Sequence, residues 1–306
     1  MKRPTVPPAV SSFRSGFSQE RAPSPRETRA RTLRIAAASL ILLSFCVACT
    51  DTSAVAKFAA SAKKACTGFS DIANDFAGSA TRRARYVNAD EKPKVLAQAE
   101  HYKELEPQIE TAQKILVDYV AALAALSTDS TTAREKSIQA TQSDLTQLGM
   151  TTNQAAAGVA LAGKLADILV SGYRSRKLEQ AIREANAPLQ EYLQGLEQIV
   201  GVDYITQLNI ERTSVRGYYG QAIFQYGKNE PLAAILVNTQ MNADLSKLDD
   251  KEKAALAYKK ILVDIGEAHQ KLYDNATHTD KKHLALLLEP YAEDIGEQST
   301  KLAKAF

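Results

Sequence analysis

Apolar side chains recur every three or four residues along most of the chain beyond residue 53, which is the spacing of one face of an α-helix. The first such segment runs from about Val55 to Val87, and the second from about Lys94 to Leu126. In the second segment the apolar positions step alternately by four and three, which predicts a coiled-coil-like seam. The seam consists of Leu105, Ile109, Ala112, Leu116, Tyr119, Leu123 and Leu126. Pro107 lies inside this segment, so we expect the helix to bend or restart there.

The helical spacing continues beyond a polar turn after residue 126. A third helix is expected over about 133–186, running through Gly149. Pro188 is expected to open a fourth helix, since proline suits the first helical position. This helix continues, with a bend at Gly201, to about residue 226.

Three further helices are expected after a break at Asn229–Pro231. A short helix covers Leu232–Met241, and Asp249 with Glu252 three residues later forms a capping-box signature that opens the next helix. The last helix starts around Thr279–Asp280. Alternating strand-like patterns of any length are missing from the sequence. The pattern therefore predicts an all-α fold, an elongated bundle of about six or seven helices with coiled-coil-like packing.

The first 50 residues follow a different pattern. Residues 1–34 contain eight Lys or Arg and two Glu, a net charge of +6, which is typical of a disordered segment. The run from Ile35 to Thr50 is 16 residues without a charge. That length is below the ~20 residues that cross a bilayer and suits the apolar region of a signal peptide. The arginines just upstream supply the positive flank of such a segment.

The end of this run resembles the lipobox of bacterial lipoproteins, which is a Leu-like residue, a small residue, Gly or Ala, and then Cys. The matching residues are Cys46-Val47-Ala48-Cys49, with Cys46 where Leu is usual. The resemblance implies cleavage before Cys49 and attachment of a lipid to its thiol. It implies a protein of the bacterial cell envelope, anchored in a membrane through lipidated Cys49 and facing the periplasm or the exterior. The expected domains are an extension with signal peptide over 1–48 and a single helical domain over 49–306.

Two other interpretations of the cysteines stay open. The apolar run could be an uncleaved membrane anchor, or Cys46 and Cys49 could be a redox C-x-x-C pair, although such a pair needs a folded, electropositive setting. After cleavage and lipidation, Cys66 would be the single remaining cysteine, so no internal disulfide is expected. Its apolar neighbours predict a packed, unreactive side chain.

Composition narrows the class of protein. Removing the +6 leader from a formal net charge of +3 leaves a domain of about −3, so no nucleic-acid partner is expected. The histidines, which are His101, His269, His278 and His283, form no metal-binding pair. Nucleophile-elbow, Walker and Rossmann motifs are also missing from the sequence. We therefore expect no catalytic residues, metal or cofactor, and no enzymatic activity.

Two stretches differ from the ordinary amphipathic background. Ala155–Tyr173 is rich in Ala and Gly, which suits either a helix at the centre of the bundle or a helix that contacts lipid. Gly217–Gly227 contains Tyr218, Tyr219, Phe224 and Tyr226, too many aromatic residues for one narrow stripe. These four residues are a candidate partner surface if the helix is open to solvent, and core if other helices enclose it.

The sequence therefore predicts a membrane-anchored lipoprotein with a non-catalytic structural or protein-interaction role and a protein partner of unknown identity. One alternative is a periplasmic helical bundle that binds or senses a small ligand, with a pocket near Gly217–Gly227. Another is a membrane-perturbing helical protein that acts through Ala155–Tyr173.

Overall fold

The structure, a computed structural model, describes residues 53–128, 141–170, 175–276 and 281–305. The chain divides into two units, Met1–Cys49 and Thr50–Phe306, and the described residues all belong to the second. The predicted lipid site at Cys49 and the apolar run before it lie outside the described residues. So do the expected starts of two helices, at Ala133 and at Thr279–Asp280.

The described residues form ten α-helices and one π-helical segment. These are α1 (Ser53–Cys66), α2 (Phe69–Arg83), α3 (Lys92–Glu104), α4 (Glu106–Thr128), α5 (Gln142–Gln147), α6 (Thr152–Val170), α7 (Ser175–Gln198), the π segment (Ile199–Tyr204), α8 (Ile205–Tyr226), α9 (Pro231–Asp274) and α10 (Lys281–Leu302). Only one or two residues separate α1 from α2 and α3 from α4, and the π segment joins α7 to α8. The described residues thus contain seven helical stretches and no strand, and the predicted all-α bundle of six or seven helices is confirmed.

From Ile109 onward, the predicted seam forms the buried face of α4. Its middle five members are buried, and its end members Leu105 and Leu126 are partly buried. This face packs against α1, α6 and α7. Each large apolar side chain removed from water there contributes ~1.5–3 kcal/mol to folding. The seam is therefore part of the main hydrophobic core of the second unit.

Two prolines behave differently from each other. Pro107 is the second residue of α4, where the missing N–H has no helical partner in any case, and the helix restarts there as predicted. The prediction that Pro188 opens a helix is wrong, because Pro188 lies inside α7. Ala185, three residues before Pro188, and Leu189, directly after it, are fully buried, and this apolar packing maintains the helix despite the lost backbone hydrogen bond.

The expected helix through Gly149 is divided into α5 and α6, which corrects the prediction. Gly149 has a φ of +88°, in the left-handed region that glycine adopts without steric cost. Thr141 caps α5: its hydroxyl accepts a hydrogen bond from the Asp144 N–H, and the Asp144 carboxylate accepts one from the Thr141 N–H at 3.1 Å. This turn lets α5 fold back onto α6.

α9 is one helix of 44 residues, about 66 Å long at 1.5 Å per residue. The predicted short helix Leu232–Met241 and the predicted helix start at Asp249 are therefore both wrong. Instead of capping a helix, Asp249 Oδ1 accepts a hydrogen bond from Arg212 Nη2 of α8 at 2.9 Å. The bend predicted at Gly201 falls in the π segment, where a Cβ would lie 2.7 Å from Cδ of Lys259 on α9.

Candidate functional site: a projecting helical hairpin

α8 and α9 form an antiparallel hairpin joined by residues 227–230. The N–H groups of Asn229 and Glu230 both donate to the Tyr226 carbonyl, at 3.1 and 3.0 Å, and close the turn. Pro231 is the first residue of α9, where its fixed φ and missing N–H suit a helix start. The tight turn holds the ends of the two helices side by side.

The end of this hairpin extends past the other helices. Val215 is the last buried residue of α8, and Leu248 is the first buried residue of α9. None of the residues between them, all of which the structure describes, is buried. At 1.5 Å per residue the two arms beyond these positions are roughly 17 and 25 Å long. A two-helix arm of this kind has no core of its own.

The aromatic residues predicted as a partner surface lie on this projecting part and divide into two groups. Phe224 is 89% exposed, and Tyr218 and Tyr226 are about half exposed. Tyr219 is partly buried against the bundle. The alternative that other helices enclose every face of this segment is therefore excluded.

Three further exposed apolar residues on α9 were missed by the sequence analysis: Leu232, Ile235 and Leu236. Their spacing places them on one face of α9, next to the turn. The sequence analysis placed them only in an expected short helix, Leu232–Met241. The sequence did contain a signal that could have identified these residues, because it has only two charged residues between Arg216 and Asp244. We call the six exposed residues the apolar tip: Tyr218, Phe224, Tyr226, Leu232, Ile235 and Leu236.

A buried polar network connects the base of the hairpin to α2. We call it the base network, and its members are Asp75, Ser79 and Arg82 of α2, Tyr204 of the π segment, Glu211 of α8 and Lys251 of α9. Arg82 lies between two carboxylates: Nη1 donates to Asp75 Oδ1 at 2.6 Å, and Nε donates to Glu211 Oε1 at 2.8 Å. The Ser79 hydroxyl also donates to Glu211, at 2.8 Å. The network therefore fixes the direction in which α8 leaves the bundle.

The charges of the base network stabilise one another. Burial acts to raise the pKa of Asp75, but the hydrogen bonds and charge of Arg82, with Lys251 and Tyr204, outweigh it and hold that pKa below its ordinary value. Tyr204 donates to Asp75 Oδ2 at 2.7 Å, and Lys251 Nζ donates to Oδ1 at 2.9 Å. Burial acts to lower the pKa of Arg82, but the two carboxylates raise it overall. Asp75 and Arg82 are thus both charged at neutral pH.

A second polar contact lies further out along the hairpin. Asp244 Oδ2 accepts hydrogen bonds from the hydroxyls of Tyr219, at 2.9 Å, and Tyr86, at 3.1 Å. Tyr86 follows α2, and its ring also meets the rings of Tyr218 and Tyr219 at 5.8 Å. We call Tyr86, Tyr219 and Asp244 the tyrosine contact. It joins the hairpin to the segment that follows α2.

The Ala- and Gly-rich stretch packs inside the bundle over its first half. Ala155 and Leu161 are fully buried, and a Cβ on Gly158 would lie 2.7 Å from both Leu145 and Tyr192. The small residues therefore allow α6 to approach α5 and α7 closely. Side chains from residue 165 to 173 lie outside the described set, so a lipid contact by Ala155–Tyr173 stays a prediction.

The remaining reactive side chains are buried or dispersed. Cys66 is fully buried, and burial raises the pKa of its thiol to about 12, in agreement with the predicted packed side chain. Burial lowers the pKa of His269 to about 3. His101 and His283 are exposed, and His278 lies outside the described residues. Among the described residues, no group of three or more His, Cys, Asp or Glu side chains converges on a metal-sized site.

The chain matches no protein-family model, no curated protein and no solved structure. No helix in the described part of the chain combines the length and the apolar character needed to span a bilayer. The hairpin and its contacts therefore provide the basis for assigning a function.

Proposed function

We propose that the protein is a membrane-anchored bacterial lipoprotein with a non-catalytic, protein-interaction role, and that the apolar tip is its contact surface. The lipid is attached at Cys49, and the helical domain faces the periplasm or the cell exterior. The observation that carries the interaction role is the exposure of six large apolar side chains at the end of one hairpin. Monomeric proteins rarely expose so much apolar surface in one region unless it binds a partner.

The first described residue, Ser53, lies far along the bundle from the apolar tip. Ser53 and Ala285 line one shallow groove. α10 runs antiparallel to α9, and Lys260 of α9 pairs with Asp294 of α10. Ala285 lies nine residues before Asp294, so it and Ser53 lie near the level of His269, nine residues after Lys260. Leu232 is about 55 Å further along α9, at 1.5 Å per residue.

The two alternative functions have weaker support. A ligand pocket around Gly217–Gly227 needs side chains that converge, whereas Phe224 and Tyr226 point into solvent. Membrane perturbation through Ala155–Tyr173 needs an accessible helix, whereas Ala155 and Leu161 are buried in the bundle. An interaction through the apolar tip uses the surface that is exposed.

Lipid attachment is tested by metabolic labelling with an alkyne fatty acid. The native protein is compared with the Cys49→Ser variant. We expect the native chain to be labelled and the variant to be unlabelled. A native chain without label would exclude the lipoprotein assignment and would favour the alternative of an uncleaved membrane anchor.

The interaction role is tested by photo-crosslinking in cells. A benzophenone amino acid replaces Phe224 in the full-length protein, and a control carries it at Leu286 on α10, which is 75% exposed. We expect the probe at position 224 to crosslink to protein and the probe at position 286 to crosslink little. Equal crosslinking at both positions, or none at either, would contradict the role of the apolar tip.

A further inference from the structure

The apolar tip exposes an area of the size that a protein dimer buries. Scaling the exposed fractions by roughly 150–250 Å² for a large side chain gives about 800 Å² over the six residues. A standard interface takes about 800 Å² from each partner, whereas the largest apolar patch of a typical monomer is about 300–600 Å². The six side chains together thus expose about the area that one partner of a standard interface contributes, with Phe224 and Tyr226 on different faces of α8.

The charges around the apolar tip indicate which kind of partner fits. The only charged residues in the range 217–243 are Lys228 and Glu230, so this part of the hairpin has no net charge. An anionic lipid surface attracts segments rich in Lys and Arg, which this segment is not. A strongly charged protein would find no complementary charge here. A second copy of the same uncharged surface meets no electrostatic repulsion, and Lys228 of each copy can approach Glu230 of the other.

Two glycines in α8 leave room for another helix. Gly217 and Gly220 lie on the same face as Phe224, with spacings of three and four residues. No atom of the described residues lies within 4 Å of a Cβ placed at either glycine. Glycine within a helix is unfavourable, and no neighbouring helix among the described residues occupies the space that these two leave. Small residues on an exposed helix face permit the close approach of a second helix.

We propose that two copies of this chain associate through their hairpins, with apolar tip against apolar tip and helices packed over Gly217 and Gly220. Two hairpins together make a four-helix arrangement, which buries the apolar residues that one hairpin leaves exposed. The same patch is used on both copies, so the assembly closes with two-fold symmetry. This inference rests on the interaction role of the apolar tip and is independent of lipid attachment.

The test uses two full-length copies with different epitope tags, co-expressed and extracted in mild detergent. We expect the tags to co-purify. Ile235→Glu in both copies is expected to lower co-purification at least tenfold, since a carboxylate would enter the interface. Leu286→Glu, at a similarly exposed position on α10, is the matched control and is expected to change nothing. Circular dichroism and thermal melting verify that both variants fold.

A second variant separates packing from hydrophobicity. Gly220→Leu adds apolar surface to a position that is open in the single chain, yet we expect it to reduce co-purification by a similar factor because it blocks helix approach. Co-purification that withstands both substitutions would overturn the proposed interface. Tags that never co-purify would overturn self-association. In that case, crosslinks from position 224 to a different protein leave the interaction role intact, and the lack of any crosslink removes both proposals.

Discussion

Arg82 of α2 donates two parallel hydrogen bonds to Glu211 of α8, from Nε to Oε1 at 2.8 Å and from Nη2 to Oε2 at 3.0 Å. The two residues are 129 positions apart in the sequence. The other side of the same guanidinium donates to Asp75, at 2.6 and 2.9 Å. Arg82 thus bridges two buried carboxylates where the hairpin leaves the bundle, and Lys251 adds a second positive charge beside Asp75. Loss of Arg82 would leave Glu211 with the Ser79 hydroxyl, and Asp75 with Lys251 and the Tyr204 hydroxyl.

Replacement of this cation is expected to be strongly destabilising. Arg82→Met should lower the free energy of unfolding by ~3–5 kcal/mol, the range for removing one partner of a buried ion pair. The measurement is urea unfolding followed by circular dichroism. Arg183→Met is the control, because Arg183 forms an exposed pair with Glu179 that is worth at most ~1 kcal/mol. If both variants lose the same amount, the base network does not stabilise the fold as described.

His269 is a buried neutral imidazole with two defined partners. Its Nδ1 lies 2.9 Å from Asn186 Oδ1, and its Nε2 lies 2.5 Å from the Tyr119 hydroxyl. Since Asn186 Oδ1 can only accept, Nδ1 carries the proton and Nε2 accepts from Tyr119. Burial lowers the pKa of the folded imidazole to about 3, against 6.5 for the ordinary side chain.

This difference predicts acid sensitivity with a defined sign. Between pH 6.5 and 3 the unfolded chain binds a proton at His269 that the folded chain does not bind. The contribution of His269 to the stability of the fold is therefore complete above pH 6.5 and falls as the pH drops. The slope is about 1.4 kcal/mol per pH unit. The lowered pKa of Asp75 acts separately, since its contribution is lost only below its ordinary value of 3.8.

The check is the urea midpoint measured from pH 7.5 to 4. His269→Gln is expected to be less stable than the native chain at pH 7.5 and to show a shallower decline towards pH 4. His101→Gln, at an exposed position, should follow the native curve. A His269→Gln variant that declines as steeply as the native chain would show that another group causes the acid sensitivity.

Periodicity was sufficient to predict the fold class and the buried face of α4, because burial of one helix face imposes its spacing directly on the sequence. Helix boundaries were harder to predict. Pro188 and Asp249 carry ordinary signals for a helix start, yet in both places tertiary packing outweighs the local preference. Asp249 is engaged by Arg212 of the neighbouring helix, a contact that no local pattern encodes.

The candidate site was only partly predictable for a related reason. The density of aromatic residues identified Tyr218, Phe224 and Tyr226, but an apolar stripe on α9 looks the same whether a neighbouring helix covers it or not. Exposure depends on where the other helices end, which is a tertiary property. The base network joins α2 to residues of α8 that lie more than a hundred positions away, so these long-range pairs could not be identified from one sequence.

Two glycines on α6 give a matched pair for testing how closely the bundle is packed. A Cβ on Gly158 would lie 2.7 Å from the buried Tyr192 and from Leu145, whereas no atom of the described residues lies within 4 Å of one on Gly163. We expect Gly158→Ala to destabilise the protein by ~1–3 kcal/mol through overpacking. Gly163→Ala should stabilise it by ~0.5–1 kcal/mol. The free energy of unfolding of both variants is measured by thermal and urea unfolding. A change of the same sign in the two variants would contradict the close approach of α6 to α7.

The tyrosine contact predicts a local effect on the hairpin rather than a global one. Asp244→Ala removes the acceptor of the Tyr86 and Tyr219 hydroxyls, outside the main core. Hydrogen exchange is therefore expected to become at least tenfold faster in residues 216–245, with little change in residues 254–272, because local opening depends on local contacts. Asp250→Ala is the control, since Asp250 only pairs with exposed Lys253 in the described residues. Faster exchange across the whole of α9 in Asp244→Ala would mean that the hairpin and the bundle unfold as one unit. In that case the apolar tip could not move separately from the domain that carries it.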